Sequence, residues 1–122
     1  MSISPVLFPI YFMDAPEILN MYVTNIPGSG GSPLQVVANS GFRSAYAINW
    51  NDTSSDYIGV YVGAVGHEVL VCIIGGGVVS DIPVVIPAQS RVSLRSMSTT
   101  AITNGSLSIN FLGQGLSMVG AS

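Results

Sequence analysis

The sequence has little charge, and it contains no lysine at all. Only 7% of its 122 residues are Asp, Glu, Lys or Arg, against about 25% in an ordinary soluble domain. Its cations are Arg43, Arg91 and Arg95, and its net charge is -3. Binding a nucleic-acid backbone requires clustered cations, so we expect no nucleic-acid partner. With 48% hydrophobic residues, a free monomer has little to keep it apart from its copies, and we expect a homo-oligomer.

The chain has a single cysteine, Cys72, and therefore no internal disulfide. Because Cys72 lies in an apolar run, we expect a buried, unreactive thiol. The apolar patch from Val6 to Met13 is interrupted by Pro9 and lacks the basic flank of a secretory signal. It is also far shorter than the about 20 apolar residues that cross a bilayer. We expect no membrane partner and a chain made in the cytosol that is not exported by a classical route.

What the sequence has instead is a period-two pattern from Met21 onward. Large apolar residues stand at every second position in YAINW (46–50), RVSLR (91–95) and LSINF (107–111), which is typical of half-buried strands. Turn-forming residues separate such runs, and Asn104 with Gly105 is a strong hairpin pair. The pattern predicts about eight short strands, at 21–26, 34–39, 44–50, 57–62, 68–74, 82–86, 90–97 and 106–112.

Eight short strands without a helical pattern predict an all-β fold, an antiparallel β-sandwich that is jelly-roll-like, with an extended N-terminal arm. A small barrel is the alternative. The alternation places Tyr46, Ile48 and Trp50 together on the core face of one strand. The length suits a single domain, and we expect an arm at 1–20, a sandwich at 21–115 and a C-terminal tail at 116–122.

The first twenty residues contain Pro5, Pro9 and Pro16, which disfavour a regular helix or a central strand and favour an extended path. Extended apolar side chains are costly to leave in water, so we expect the arm to bury them on a neighbouring subunit. The alternative is that the arm folds back as an edge strand of its own sandwich. The predicted partner-binding residues of the arm are Leu7, Phe8, Ile10, Tyr11 and Phe12.

The stretch VGHEVLVCIIGGG (65–77) contains the only histidine and the only cysteine. In a strand, His67 and Cys72 are an odd number of positions apart and face opposite sides, so they form no dyad; protonation of His67 at an interface is an alternative role. Gly75 to Gly77 lack the lysine and the following helix of a phosphate loop. Asp52 and Asp56 could hold calcium, but ordinary turn chemistry is favoured. We expect no enzyme, no cofactor and no metal site.

Tyr57 and Tyr61 alternate with Ile58, Val60 and Val62, which predicts that both tyrosines are exposed. A row of exposed tyrosines suits carbohydrate stacking or a protein interface. The same strand has no aligned Asp, Asn or Arg to bind sugar hydroxyls, so the interface is favoured. Tyr57 and Tyr61 are therefore predicted partner-binding residues.

The segments SPLQVVANSGF, DYIGVYVGAVGHEVLVCIIGGG, VVIPAQSRVSLRSMS and LSINFLGQG, in this order, resemble small virion structural proteins of tailed bacteriophages. Such proteins serve as head cement or decoration proteins, or as tail-associated β-modules. The resemblance spans roughly residues 33–115 and implies a virion protein, most often on the capsid surface, with no catalytic residues. It also implies a glycine where Gln89 stands, so the turn before Arg91 is expected to differ in type.

The implied partners are the protein itself, as a trimer, and the major capsid protein or other virion proteins, and the arm would dock on the capsid shell or on a neighbour. The alternative function is a tail-fibre or baseplate module that binds a receptor or carbohydrate. The two functions make different demands on the surface. A groove with Tyr57, Tyr61 and polar partners favours sugar binding, whereas an arm on a neighbouring subunit favours cement.

Overall fold

The computed structural model describes residues 15–52, 56–75 and 81–113. Their backbone forms eight strands and no helix, which confirms the all-β prediction. No helix in these ranges is therefore long and apolar enough to cross a membrane. The strands are β1 (Ala15–Ile26), β2 (Leu34–Val37), β3 (Ser44–Asn51), β4 (Tyr57–Val62), β5 (Val69–Gly75), β6 (Ile82–Ile86), β7 (Val92–Ser96) and β8 (Ile102–Gly113).

The strands form two four-stranded antiparallel sheets. Sheet I has the order β1-β8-β3-β6, and sheet II has the order β2-β7-β4-β5. Among these eight strands, only β4 and β5 are consecutive in the chain and paired in one sheet, so nearly every connection between them crosses from one sheet to the other. This is the connectivity of an eight-stranded jelly roll, and it confirms the predicted sandwich.

The core lies between the sheets and is built from alternating apolar residues. Leu107, Ile109 and Phe111 of β8 are fully buried, and so are Val92 and Leu94 of β7, which confirms the inward faces predicted for LSINF and RVSLR. Each such side chain stabilises the fold by about 1.5–3 kcal/mol. The other large side chains that are fully buried are Trp50, Ile26, Ile48, Ile58, Ile74, Ile86 and Val60.

The first strand begins at Ala15, well before the predicted start at residue 21. Residues 15–20 pair with β8, from Ala15 opposite Gly113 to Asn20 opposite Ser108, so the arm boundary predicted at residue 20 is wrong. A proline at position 16 is tolerated because β1 is the edge strand of sheet I and pairs on one side only. Residues 15–20 thus follow the edge-strand alternative, whereas 1–14 and 114–122, including the predicted tail, lie outside the described residues.

The hairpin predicted at Asn104 and Gly105 is wrong, because both residues lie inside β8, opposite Thr24 and Val23. The reason is the contact between Gly105 and the indole of Trp50. A Cβ at position 105 would lie 2.3 Å from Trp50 Cζ2, so the glycine serves close packing in a strand.

The prediction that Tyr46 shares a core face with Ile48 and Trp50 is also wrong. The register of β3 shifts between Ala45 and Ala47 against both of its neighbours, which marks a β-bulge at Tyr46. A bulge adds one residue to the strand, so the residues before the bulge no longer follow the strict alternation of faces that holds after it. Tyr46 is therefore exposed, while Ile48 and Trp50 are fully buried.

The turn before Arg91 has an unusual backbone at Gln89. Its φ is 61°, in the left-handed region that glycine enters with the least strain. Its N–H donates to the carbonyl oxygen of Gly41 at 2.7 Å. The position where the phage resemblance implies glycine is thus one where glycine would fit the backbone.

Candidate functional site

The most unusual surface of the molecule is the outer edge of β5. This strand ends sheet II, and no strand within the described ranges pairs with its outer side. Its sequence VLVCIIG has no polar residue between Val69 and Ile74 except the thiol. Four of its apolar side chains are exposed, and they are Val69, Leu70, Val71 and Ile73.

Other exposed apolar side chains gather beside this strand. Among the described residues, twelve large hydrophobic side chains are exposed, and eight of them lie on β5 or flank it. We call these eight residues the β5 edge surface, and they are Tyr46, Tyr57, Val69, Leu70, Val71, Ile73, Val85 and Met97. Monomeric proteins seldom gather their exposed apolar residues in this way, and such patches mark interaction sites.

Two open grooves border β5. A groove of about 440 Å³ runs along the sheet II side and is lined by Asp56, Tyr57, Ile73, Met97 and Ser98. A second groove, of about 630 Å³, lies on the sheet I side and is lined by Tyr46, Val71, Pro83, Val84 and Val85. The β5 edge is therefore a ridge with an apolar depression on each side, a shape that another chain could cover.

The two tyrosines that were predicted to be exposed differ in their exposure. Tyr57 is 57% exposed and lies in the first groove, as predicted, whereas Tyr61 is 7% exposed, and its predicted exposure is wrong. Tyr61 is on the outer face of sheet II, but Arg95 covers it: the guanidinium lies 4.9 Å from the ring centroid, and its Nη2 donates to the Tyr61 hydroxyl at 2.9 Å. Such a cation–π contact is favourable. Because it covers the ring, Tyr61 is not available to stack on a ligand beside Tyr57.

Gly59 allows this packing on the outer face. A Cβ at position 59 would lie 2.7 Å from Met97 Sδ and 2.9 Å from atoms of both Leu70 and Tyr61. Because glycine has no side chain, the side chains of Met97, Leu70 and Tyr61 can pack against the sheet at this position. Part of the β5 edge surface is thus held in a fixed arrangement.

The three arginines are held by contacts within the molecule. Arg91 Nη1 lies 3.0 Å from Glu68 Oε2, with side-chain exposures of 13% and 10%. Hydrogen bonds to the Glu68 carboxylate from its own backbone N–H, from Arg91 and from the N–H of Gly66 lower the pKa of Glu68, although burial opposes them. Arg43, the third cation, pairs with Glu17 at 3.0 Å and stacks on Phe111. All three arginines therefore have partners within the chain.

The residues singled out in VGHEVLVCIIGGG do not come together. His67 is exposed in the turn before β5, whereas Cys72 is half-buried against the core. Burial raises the pKa of the Cys72 thiol. Gly75 ends β5, and Gly76 and Gly77 lie outside the described residues.

Asp52, considered above as a calcium ligand, accepts a hydrogen bond from the indole Nε1 of Trp50. In the part of the chain that the structure describes, no three His, Cys, Asp or Glu side chains are grouped as metal ligands would be. The arm residues predicted to bind a partner, Leu7, Phe8, Ile10, Tyr11 and Phe12, lie outside the described ranges.

Sequence reasoning missed most of the β5 edge surface. The available signal was the unbroken apolar run from Val69 to Ile74. Such a run is equally typical of a strand buried on both faces, and nothing in it shows that the strand ends a sheet. A scan against protein-family models and a search of curated proteins find no match to this chain, so the resemblance to phage virion proteins stays a prediction.

Proposed function

We propose that the chain is a non-enzymatic structural protein that works by packing against other protein chains, as a bacteriophage capsid cement or decoration protein. The observation that supports this most directly is the β5 edge surface. Eight exposed apolar side chains around one unpaired strand edge are costly in water and gain free energy when another protein covers them. We propose itself, the major capsid protein or other virion proteins as the partners.

The charge pattern supports the same function. Because each arginine is engaged inside the chain, assembly depends on apolar contact more than on ion pairs. Apolar contact is nearly insensitive to salt, whereas surface ion pairs are screened by it. A protein that holds a particle together by such contacts keeps its affinity over a wide range of ionic strength.

The fold is compatible with this function and with others. Jelly rolls occur in viral capsid proteins, in lectins and in cupins, and a fold does not by itself determine a function. The surface of the protein, more than its fold, favours one of these functions. An uncharged strand edge flanked by two grooves that are lined mostly by apolar side chains is suited to binding a protein.

A receptor- or carbohydrate-binding module of a tail fibre or baseplate is the second candidate. The observation that favours it is the groove with exposed Tyr57, where Asp56 and Ser98 supply polar groups. The coverage of Tyr61 by Arg95 weighs against it, because one tyrosine is left where a row was predicted. A glycan array with the wild-type chain and with Tyr57→Ala would decide whether this groove binds sugar.

The proposed function is tested on intact virus particles from the host that carries this sequence. Mass spectrometry of purified particles should detect the chain, and cryo-electron microscopy should place it on the head with the β5 edge surface covered by protein. Particles that lack the chain, or a chain whose β5 edge surface faces solvent in the particle, would contradict the proposal. Density at the tail tip, combined with glycan binding, would support the second candidate.

A further inference from the structure

A line of polar side chains crosses the outer face of sheet I. The strand pairing places Asn20 of β1, Ser108 of β8 and Asn49 of β3 side by side. Asp81, which precedes β6, continues this line and accepts a hydrogen bond from Asn49 Nδ2 at 3.5 Å. We call these four residues the polar row. The row faces away from the core, because adjacent residues of the same strands, such as Ile109, point into the core.

Further side chains of the same kind flank the polar row. Ser106 and Asn110 lie on either side of the row in β8. Tyr22 of β1 and Asn51 of β3 lie opposite Ser106, and Tyr22 is 67% exposed. Among these eight residues only Asp81 has a formal charge. The face therefore combines an exposed aromatic ring with a set of amide and hydroxyl groups.

The composition of this face does not favour strand formation. Asparagine is depleted in strands, whereas threonine, valine and aromatic residues are enriched. Half of the eight residues are nevertheless asparagine, and they are Asn20, Asn49, Asn51 and Asn110. A soluble surface is also usually covered by charges of both signs, which these eight residues do not supply. Departures from such local rules are expected at functional sites, so the face is a candidate binding site.

Hydrogen bonds within the face fix the orientation of its amide groups. Ser108 Oγ donates to Asn20 Oδ1 at 2.7 Å, and Asn110 Nδ2 donates to Asp81 Oδ2 at 3.2 Å. Asn20 is exposed, and an amide has two N–H donors besides its acceptor oxygen. The bond from Ser108 therefore orients the Asn20 amide while its N–H donors can bind a ligand. Groups that are held in place before binding lose less entropy when a ligand binds.

These groups favour a neutral ligand that is rich in hydroxyl groups. None of the eight residues is a cation that could bind a nucleic acid or another polyanion, and Asp81 is engaged by two amides. A protein interface has an apolar centre, whereas the centre of this face is polar. Sugar hydroxyls donate and accept hydrogen bonds, as amides do, and the apolar face of a sugar ring packs on an aromatic ring such as that of Tyr22.

The spacing of the polar row suits a chain of sugar units. Neighbouring strands lie about 4.8 Å apart, which is comparable to the length of one sugar unit, and the whole row spans roughly 15 Å. We propose that the polar row and Tyr22 form a binding site for a neutral polysaccharide that lies across the strands of sheet I. The site goes beyond the proposed packing function. It shares no residue with the β5 edge surface or with the groove beside Tyr57.

The test is native affinity electrophoresis of the full chain in gels that contain dextran, galactomannan, xylan or hydroxyethyl cellulose, with polygalacturonate as the anionic comparison. We expect at least one neutral polysaccharide, and not polygalacturonate, to retard the chain. Tyr22→Ala should weaken binding on the order of tenfold because it removes the stacking ring. Asn20→Asp should weaken it similarly, because it removes two N–H donors and keeps the acceptor for Ser108.

The matched control is Phe42→Ala, in the turn between β2 and β3, where the aromatic ring is 75% exposed against 67% for Tyr22. This variant should bind as wild type does. Circular dichroism verifies that each variant is folded. Because Asn20→Asp changes almost no volume, it provides the test even if Tyr22→Ala does not fold.

Several outcomes would overturn the site. They are no retardation by any of the neutral polysaccharides, retardation by polygalacturonate alone, or retardation that persists in Tyr22→Ala and Asn20→Asp or is lost equally in Phe42→Ala. Retardation that only Tyr57→Ala abolishes would also overturn it and would support the groove beside Tyr57 as the sugar site. If no polysaccharide binds and Asn20→Asp prevents assembly on virus particles, the face binds a protein instead, and the proposed packing function stands.

Discussion

The core and the β5 edge surface are made from the same kinds of residue but have opposite environments. Ile109 in the core is fully buried between the sheets, whereas Ile73 on β5 is 47% exposed. The first contributes to folding within one chain, and the second can gain the same burial from another chain. The comparison separates two roles of apolar residues, and each role has its own measurable quantity: the free energy of unfolding for the core, and the association constant for the edge.

The largest effect is expected from truncating isoleucine at the two sites. Ile109→Ala should lower the free energy of unfolding by about 2–5 kcal/mol, because it leaves a cavity in a close-packed core. Ile73→Ala, the same change at the edge, should cost less than about 1 kcal/mol in the monomer. Urea unfolding at protein concentrations low enough to keep the chain monomeric measures both changes. Equal losses in the free energy of unfolding would contradict the distinction between core and edge.

A smaller effect is expected from adding a methyl group to the core at Gly105. Because a Cβ there would overlap the Trp50 ring, Gly105→Ala should destabilise the fold by about 1–3 kcal/mol. Gly30→Ala is the matched control, since no atom lies within 4 Å of its added Cβ, and its change should stay within about 0.5 kcal/mol. If urea unfolding finds the two variants alike, Trp50 is free to move and the core is less closely packed than the structure shows.

The ion pair beside the edge should contribute a pH-dependent stability. Because the pKa of Glu68 is lowered from 4.5 in the folded chain, its contribution is complete above about pH 4.5 and is lost as the pH falls through the folded pKa. Glu68→Gln should therefore be less stable than wild type at neutral pH, and the two should converge in acid. Urea midpoints measured from pH 7 to pH 3 check this, and a constant difference would show that the Glu68 charge is not the cause.

The smallest effect on folding is expected from Ile73→Lys. This change should alter the free energy of unfolding of the monomer by no more than about 0.5 kcal/mol, as surface substitutions usually do, although it should weaken association with a partner protein. Thermal unfolding followed by circular dichroism at low concentration provides the measurement. A large loss of stability would mean that Ile73 supports the fold itself, and the distinction between core and edge would not hold at this residue.

Much of the fold follows from local patterns. The period-two runs correctly predicted eight strands, and LSINF and RVSLR correctly predicted which side chains enter the core. Alternation predicts strands and their buried faces because successive side chains of a strand point to opposite faces. A polar and an apolar face can therefore be recognised within a few residues.

The wrong predictions for individual residues have their cause in contacts between residues that are distant in the sequence. Asn104 and Gly105 have the local preference of a turn, but the indole of Trp50, distant in sequence, needs the space above Gly105. Tyr46 leaves the core face because β3 is bulged against two neighbours at once. Tyr61 has an exposed position in its strand, but Arg95 of the adjacent β7 covers it.

The strand content, the scarcity of charge and most of the core can be predicted from the sequence, because these depend on composition and on spacing within single strands. The position of β5 at the end of a sheet, and of Tyr46, Tyr57, Val85 and Met97 beside it, follows from the fold as a whole. An apolar run such as VLVCII has the same sequence whether a neighbour covers it or not. Its exposure depends on the order of strands in the sheet, and that order is set by pairings between residues far apart in the chain.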